Sequence, residues 1–156
     1  MVVGDVFPRI TGRALSGVEV TLPDAAGGRV ALVGVAFVRE AQSMLDSWMR
    51  PYAEAYTGQE GYVAYELPVI EGWHWQLLSG MIDGGMRAGI PVEQHDYVVT
   101  YYGDATVFKE ALSIEDTSYA YVYLLDRSSV IRWQDRGYAT DPAVEELIQL
   151  AASLSP

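Results

Sequence analysis

The residues best placed for chemistry are Arg39-Glu40-Ala41-Gln42-Ser43, a polar corner between an apolar run and a stretch with helical spacing. A helix amino terminus lowers the pKa of a thiol, which makes such a corner a natural seat for a redox pair. This chain of 156 residues has no cysteine. Glu40 and Ser43 are the polar side chains at that corner, and neither can cycle electrons. Carboxylate or histidine chemistry is the rival expectation, centred on Glu40, Glu71 or His74. The sequence holds two histidines, His74 and His95, with Glu71, Asp83, Glu93 and Asp96 near them in the chain. They do not fall at a recognised ligand spacing such as His-Glu-x-x-His, so no metal and no other cofactor is expected. The sequence also lacks a phosphate loop, a dinucleotide fingerprint and a Gly-x-Ser-x-Gly elbow.

Such a corner needs a rigid strand before it and a helix after it. Residues 30–37 form an unbroken β-branched and apolar run, the pattern of a strand buried on both faces. Met44, Leu45, Trp48 and Tyr52 then recur at helical spacing, predicting a helix from just after Glu40 to about Tyr56, bent where Pro51 removes a backbone donor. Residues 62–70 predict the next strand. Strand, helix and strand in succession imply a right-handed crossover and parallel pairing. Upstream, residues 17–22 alternate apolar and polar, a half-exposed strand ended by Pro23, and residues 24–28 read as a turn.

Downstream, residues 97–102 predict a strand and residues 105–112 a short helix. Residues 121–125 and 130–133 predict two strands joined by Asp126-Arg127-Ser128-Ser129, turn residues at hairpin length. Alternation puts Tyr119, Tyr121 and Tyr123 on one face. Arg132 is expected to lie along Trp133 or a strand neighbour, and the alternative is that this last strand is a partner-binding edge. In the final helix Asp141 caps, Pro142 takes the first helical position, and Val144, Leu147, Ile148 and Ala151 make one apolar stripe.

The segment 73–89 is the odd one. Leu77, Leu78, Met81, Ile82 and Met86 suit an amphipathic helix, yet Gly80, Gly84 and Gly85 each cost about 1 kcal/mol there relative to alanine. Either the glycines let this segment pack closely on its own sheet or break near Gly84-Gly85, or Gly80 and Gly84 admit a partner helix.

Half the residues are hydrophobic, a globular composition that predicts one domain over residues 1–156. The formal net charge of −11 argues against nucleic acid, which requires a Lys/Arg surface. The start lacks a signal-peptide pattern, and nothing approaches the ~20 apolar residues of a membrane span, so no membrane insertion is expected. The expectation is a soluble protein, cytoplasmic or peripheral to a membrane.

Apolar strands interleaved with helices, finished by a hairpin and a helix, resemble the thioredoxin-like fold. A tighter resemblance lies in Phe37-Val38-Arg39 with Ser43-Met44 and Ser47-Trp48-Met49-Arg50-Pro51-Tyr52, in Ile90-Pro91-Val92-Glu93-Gln94-His95-Asp96-Tyr97, and in Tyr121-Val122-Tyr123-Leu124-Leu125-Asp126-Arg127 continuing through Ile131-Arg132-Trp133 to Gly137 and Ala139-Thr140. In this order the blocks are similar to the mitochondrial ATP synthase assembly factor family called ATPase complex subunit ten. The resemblance implies an α/β protein, a mixed central sheet flanked by helices with an extra helical segment around residues 73–89. It further implies a non-catalytic, chaperone-like assembly module whose partner is a protein, a membrane-protein subunit among the candidates. Ala120, before the hairpin strand, stands where thiol oxidoreductases of this fold often carry a cis-proline. The expected partner surface comprises Arg39, Glu40, Ser43, Trp73, Trp75, Gly80 and Gly84.

Overall fold

A strand made only of valine, leucine, alanine and glycine has no polar face to show to water, so both its faces must be covered. That strand, Val30–Ala36, has all seven residues buried and lies inside the sheet. The computed structural model describes residues 2–56, 58–71 and 84–155. In chain order its elements are β1 (Ile10–Ala14), β2 (Glu19–Leu22), β3 (Val30–Ala36), α1 (Gln42–Tyr56), β4 (Tyr62–Ile70), β5 (Val99–Tyr102), α2 (Thr106–Ala111), β6 (Tyr121–Leu125), β7 (Ile131–Arg136) and α3 (Asp141–Leu154). The strands form one sheet in the order β2-β1-β5-β4-β3-β6-β7. β4 runs parallel to β3 and to β5, and the remaining pairs are antiparallel. This is the expected mixed sheet with flanking helices.

Alternation along β3 divides the core. Ala31, Val33 and Val35 join a layer with Phe7, Leu22, Phe108, Leu112 and Tyr123. Val30, Leu32 and Ala36 join the opposite layer with Leu45, Trp48 and Tyr52 of α1 and Leu147 and Ala151 of α3. Gly34 lies on the α1 side, where an added Cβ would come within 2.5 Å of Met49 Cε and 2.7 Å of Leu45 Cδ2. Its missing side chain sets how closely α1 settles on the sheet. The opposite end of α1 is tied to α3 by tyrosines. Tyr56 donates to the Ile148 carbonyl at 2.6 Å and stacks on Tyr62, whose hydroxyl reaches the Ala151 carbonyl at 3.3 Å.

Several elements differ from expectation for local reasons. β1 was not foreseen because Gly12 and Arg13 interrupt its apolar pattern. β5 begins at Val99, and Val92–Tyr97 winds instead as a 3-10 helix after Pro91. β7 runs to Arg136, beyond the expected end at Trp133. The register shifts between Leu124 and Leu125, so Ile131 and Trp133, two residues apart, pack in opposite layers. Thr140 caps α3 by accepting from the Ala143 N–H at 3.3 Å, and Asp141 falls in the first turn. Tyr119, Tyr121 and Tyr123 do share one layer. Residues 84–89 are helical, whereas the rest of the expected extra helix, including Trp73, His74, Trp75 and Gly80, lies outside the described residues.

Trp48 is 1 % exposed, edge-on to Trp133 at 5.2 Å, and donates its indole N–H to the Gly137 carbonyl at 2.8 Å. Trp48→Ala should therefore cost about 3–5 kcal/mol, the range for deleting a buried large aromatic. Denaturant melts of the two proteins measure it, and a cost below about 0.5 kcal/mol, the scale of ordinary surface changes, would remove this side chain from the core.

Candidate functional site

The site is the end of the sheet where β3 and β4 finish and β6 begins. β3 leads through Val38, in extended conformation, into a short 3-10 turn over Arg39–Ala41, which passes directly into α1. Ala41 is fully buried and anchors the turn from beneath, while Val38, Arg39, Glu40 and Ser43 are exposed. The Ala41 N–H donates to the Val38 carbonyl at 3.1 Å. The corner thus keeps the strand-turn-helix shape that a redox pair would use, with a carboxylate and a hydroxyl in place of sulfur.

Three bonds fasten α1 to the loop that follows β7. Ser43 Oγ and the Tyr138 hydroxyl lie 2.7 Å apart. The Ala139 N–H donates to Ser47 Oγ at 2.9 Å, and Trp48 donates to the Gly137 carbonyl. The Gly137 N–H in turn donates to the carbonyl of Ala120, just before β6. Gly137 has φ of 75°, a left-handed conformation in which glycine is unstrained. Beside this knot, Tyr138 is 61 % exposed and Val38 39 % exposed. Arg136 lies over the Tyr119 ring at 4.5 Å. Local spacing gives no sign of Tyr138, because its place comes from a contact ninety-five residues away.

Beneath the first turn of α1 lies a carboxylate that the sequence also hid. Glu66 is half-buried on β4 and accepts from Gln42 Nε2 at 2.8 Å, and the same nitrogen reaches Asp46 Oδ1 at 3.2 Å. Burial pushes the Glu66 pKa up; the Gln42 hydrogen bond opposes that shift and the neighbouring Asp46 charge adds to it. The alternation of β4, with Glu66 on the same face as Ala64 and Pro68, was the available signal.

Of the rival chemical residues, Glu40 is on this corner and His74 lies outside the described residues. Glu71 is paired with Lys109 Nζ at 2.9 Å, and that ammonium also sits 6.0 Å from the Phe37 ring centre. His95 is buried with Nε2 against the Ile90 carbonyl at 2.8 Å. Among the described residues, no three His, Asp or Glu side chains are grouped to hold a metal ion. Gly84 and Gly85 are within helical backbone, and a Cβ on either would meet open space. Among the described residues, no close packing partner meets these two glycines.

The last strand is poorly suited to receive a partner. Ile131 exchanges backbone bonds with Gly4 and Asp5, and the Phe7 N–H donates to the Ser129 carbonyl, so the amino-terminal segment covers one end. At the other end Asp135 Oδ1 accepts from the Arg136 N–H at 2.7 Å. Arg132 Nε pairs with Asp126, at the start of the turn between β6 and β7, at 2.7 Å.

The profile of the ATP10 protein family matches residues 5–154. No curated protein sequence matches the chain. Among solved structures, the thioredoxin domain of a thiol-disulfide oxidoreductase from Bacteroides vulgatus superposes with a TM-score of 0.63 at 18% identity, over 97% of this chain and 99% of that one. A putative thiol:disulfide interchange protein DsbE from Chlorobium tepidum gives 0.63 at 19% identity, over 98% of each chain. BsSco, a member of the Sco family of cytochrome c oxidase assembly proteins, gives 0.58 at 14% identity, over 96% of this chain and 92% of that one. The fold is thioredoxin-like.

The Glu66 environment makes a signed prediction. A raised folded-state pKa means the folded protein holds its proton where the unfolded chain has lost it, so this group removes stability as pH rises through that window. Glu66→Gln keeps an acceptor for Gln42 without the charge. It should be more stable than wild type at neutral pH, with the gap closing as pH falls below the ordinary glutamate value. Urea melts from about pH 3 to 8 test this, and a gap that is flat with pH would disprove the linkage.

Proposed function

The chain belongs to the ATP10 protein family, and from that premise we propose that it is a redox-inactive assembly module that binds a protein partner, a membrane-sector subunit of an F-type ATP synthase, through the corner end of its sheet. The observation that carries this reading is the corner itself. Its strand-turn-helix geometry is kept and pinned to residues 137–139, while sulfur is missing from both positions where thiols would stand. A scaffold held this firmly around residues that cannot transfer electrons is suited to recognition.

The exposed side chains fit that role. Val38 and Tyr138 give apolar and aromatic area, and Arg39, Glu40 and Ser43 supply the polar surround, the composition in which aromatic anchors carry binding energy. Among the described residues no helix is long and apolar enough to cross a membrane. A membrane-embedded subunit would then be met at its water-exposed segments. BsSco supports the reading by analogy only, as a protein of this fold in a family of assembly proteins. The competing reading, an enzyme of non-thiol chemistry at Glu40, Glu71 or His74, has weaker support, since Glu71 is committed to Lys109.

The test is capture from detergent-solubilised membranes, scored by mass spectrometry for ATP synthase membrane-sector subunits. Wild type should retain them, and a folded Val38→Asp/Tyr138→Ala variant should lose at least roughly tenfold, as when one anchor worth more than 1 kcal/mol is removed. Glu40→Arg should weaken capture as well. Equal recovery by all three folded proteins would exclude this surface. In parallel, purified protein should reduce insulin no faster than a blank without protein, and a rate above the blank that tracks the pure protein would contradict redox inactivity.

A further inference from the structure

The two edges of the sheet are treated differently. β7 is covered at one end by the amino-terminal segment and closed at the other by Asp135, so little of its backbone is open to a new strand. β2 is the opposite edge, and among the described residues nothing pairs with its outer side. Proteins usually protect an edge with lysine, proline or a covering segment. β2, reading Glu-Val-Thr-Leu, is short, carries Glu19 and ends before Pro23, but has no lysine, proline or covering segment among the described residues over its four positions.

Its hydrogen-bonding pattern is fixed by the hairpin. The Ala14 N–H donates to the Val18 carbonyl at 2.8 Å, which makes that pair a bonded one. The register continues Arg13↔Glu19, Gly12↔Val20 and Thr11↔Thr21. Antiparallel pairs alternate, so Val20 spends its main-chain groups on Gly12, while Glu19 and Thr21 turn theirs outward. The 2.8 Å contact between the Thr11 and Thr21 hydroxyls agrees with the closer, non-bonded type of pair.

We propose that β2 is a self-complementary edge, and that two copies of the chain join there as an antiparallel β2–β2 pair about a two-fold axis at Val20. The outward groups of Glu19 and Thr21 meet those of Thr21 and Glu19 in the second copy. Glu19 then faces threonine and never another Glu19, so the register avoids like-charge opposition. Val18, 58 % exposed in one chain, gains a strand neighbour. A two-fold contact of this kind is closed and adds no further copies. With four residues on each strand the contact is small against the ~1,200 Å² of a stable interface, so the dimer is weak. Because each chain carries −11, added salt should tighten it by screening repulsion. A basic partner at the same edge would instead be loosened by salt.

The missing cysteines make the test specific to position. Across the axis the two Val20 Cα atoms would be about 4.5 Å apart, within the ~4.4–6.8 Å range that a disulfide spans. Under mild oxidation Val20→Cys should form a covalent dimer at least tenfold faster than Val107→Cys, which places an exposed thiol on α2. Sedimentation of wild type should show a concentration-dependent dimer that strengthens with salt, and Thr21→Pro, which removes one outward N–H, should abolish it. Equal cross-linking of the two cysteine variants, or wild type that stays monomeric to about 1 mM at high salt, would overturn the proposal. If Val20→Cys fails to fold, the sedimentation comparison decides alone.

Discussion

Everything in this molecule follows from β3 having no residue that can face water. Seven buried positions in a row require cover on both sides, and the alternation of the strand assigns each side chain to one cover. The α1–α3 layer closes one face, and the amino-terminal segment with α2 closes the other. Two contacts fix the α1 layer in place. Gly34 admits the helix, and Trp48 locks it to Gly137 across eighty-nine residues of chain. The corner between β3 and α1 is therefore determined by the core and is not a free loop.

That rigidity explains why the corner keeps its shape without redox chemistry. In thiol enzymes the helix amino terminus favours a thiolate; here the same terminus overlies a half-buried glutamate bridged by Gln42. The carboxylate is partly desolvated and feels the charge of Asp46, another carboxylate, so burial and repulsion both oppose its ionisation. We read this as a small cost carried by the scaffold at the end of the sheet where recognition is proposed.

Much of the fold was legible because its signals are local. The apolar run of β3, the spacing of Leu45, Trp48 and Tyr52, and the stripe of α3 each declare their element within one or two turns of chain. The features that escaped notice depend on distance. Tyr138 gains its place through Ser43, Glu66 through Gln42, and β1 through its pairing with β2 and β5. The cap of α3 was misplaced by one residue because Thr140 and Asp141 are both good capping types, and only the Ala143 bond distinguishes them. The surface at Trp73, Trp75 and Gly80 rests on sequence alone, whereas Arg39, Glu40 and Ser43 are exposed at the corner.

Recognition through the corner is the central claim, and proximity labelling within intact membranes tests it most directly. A photo-crosslinking amino acid at position 40 should give a discrete adduct with an ATP synthase membrane-sector subunit, while the same group at Gln149, exposed in the second half of α3, should give none. Adducts from both positions alike, or from Gln149 only, would contradict the account.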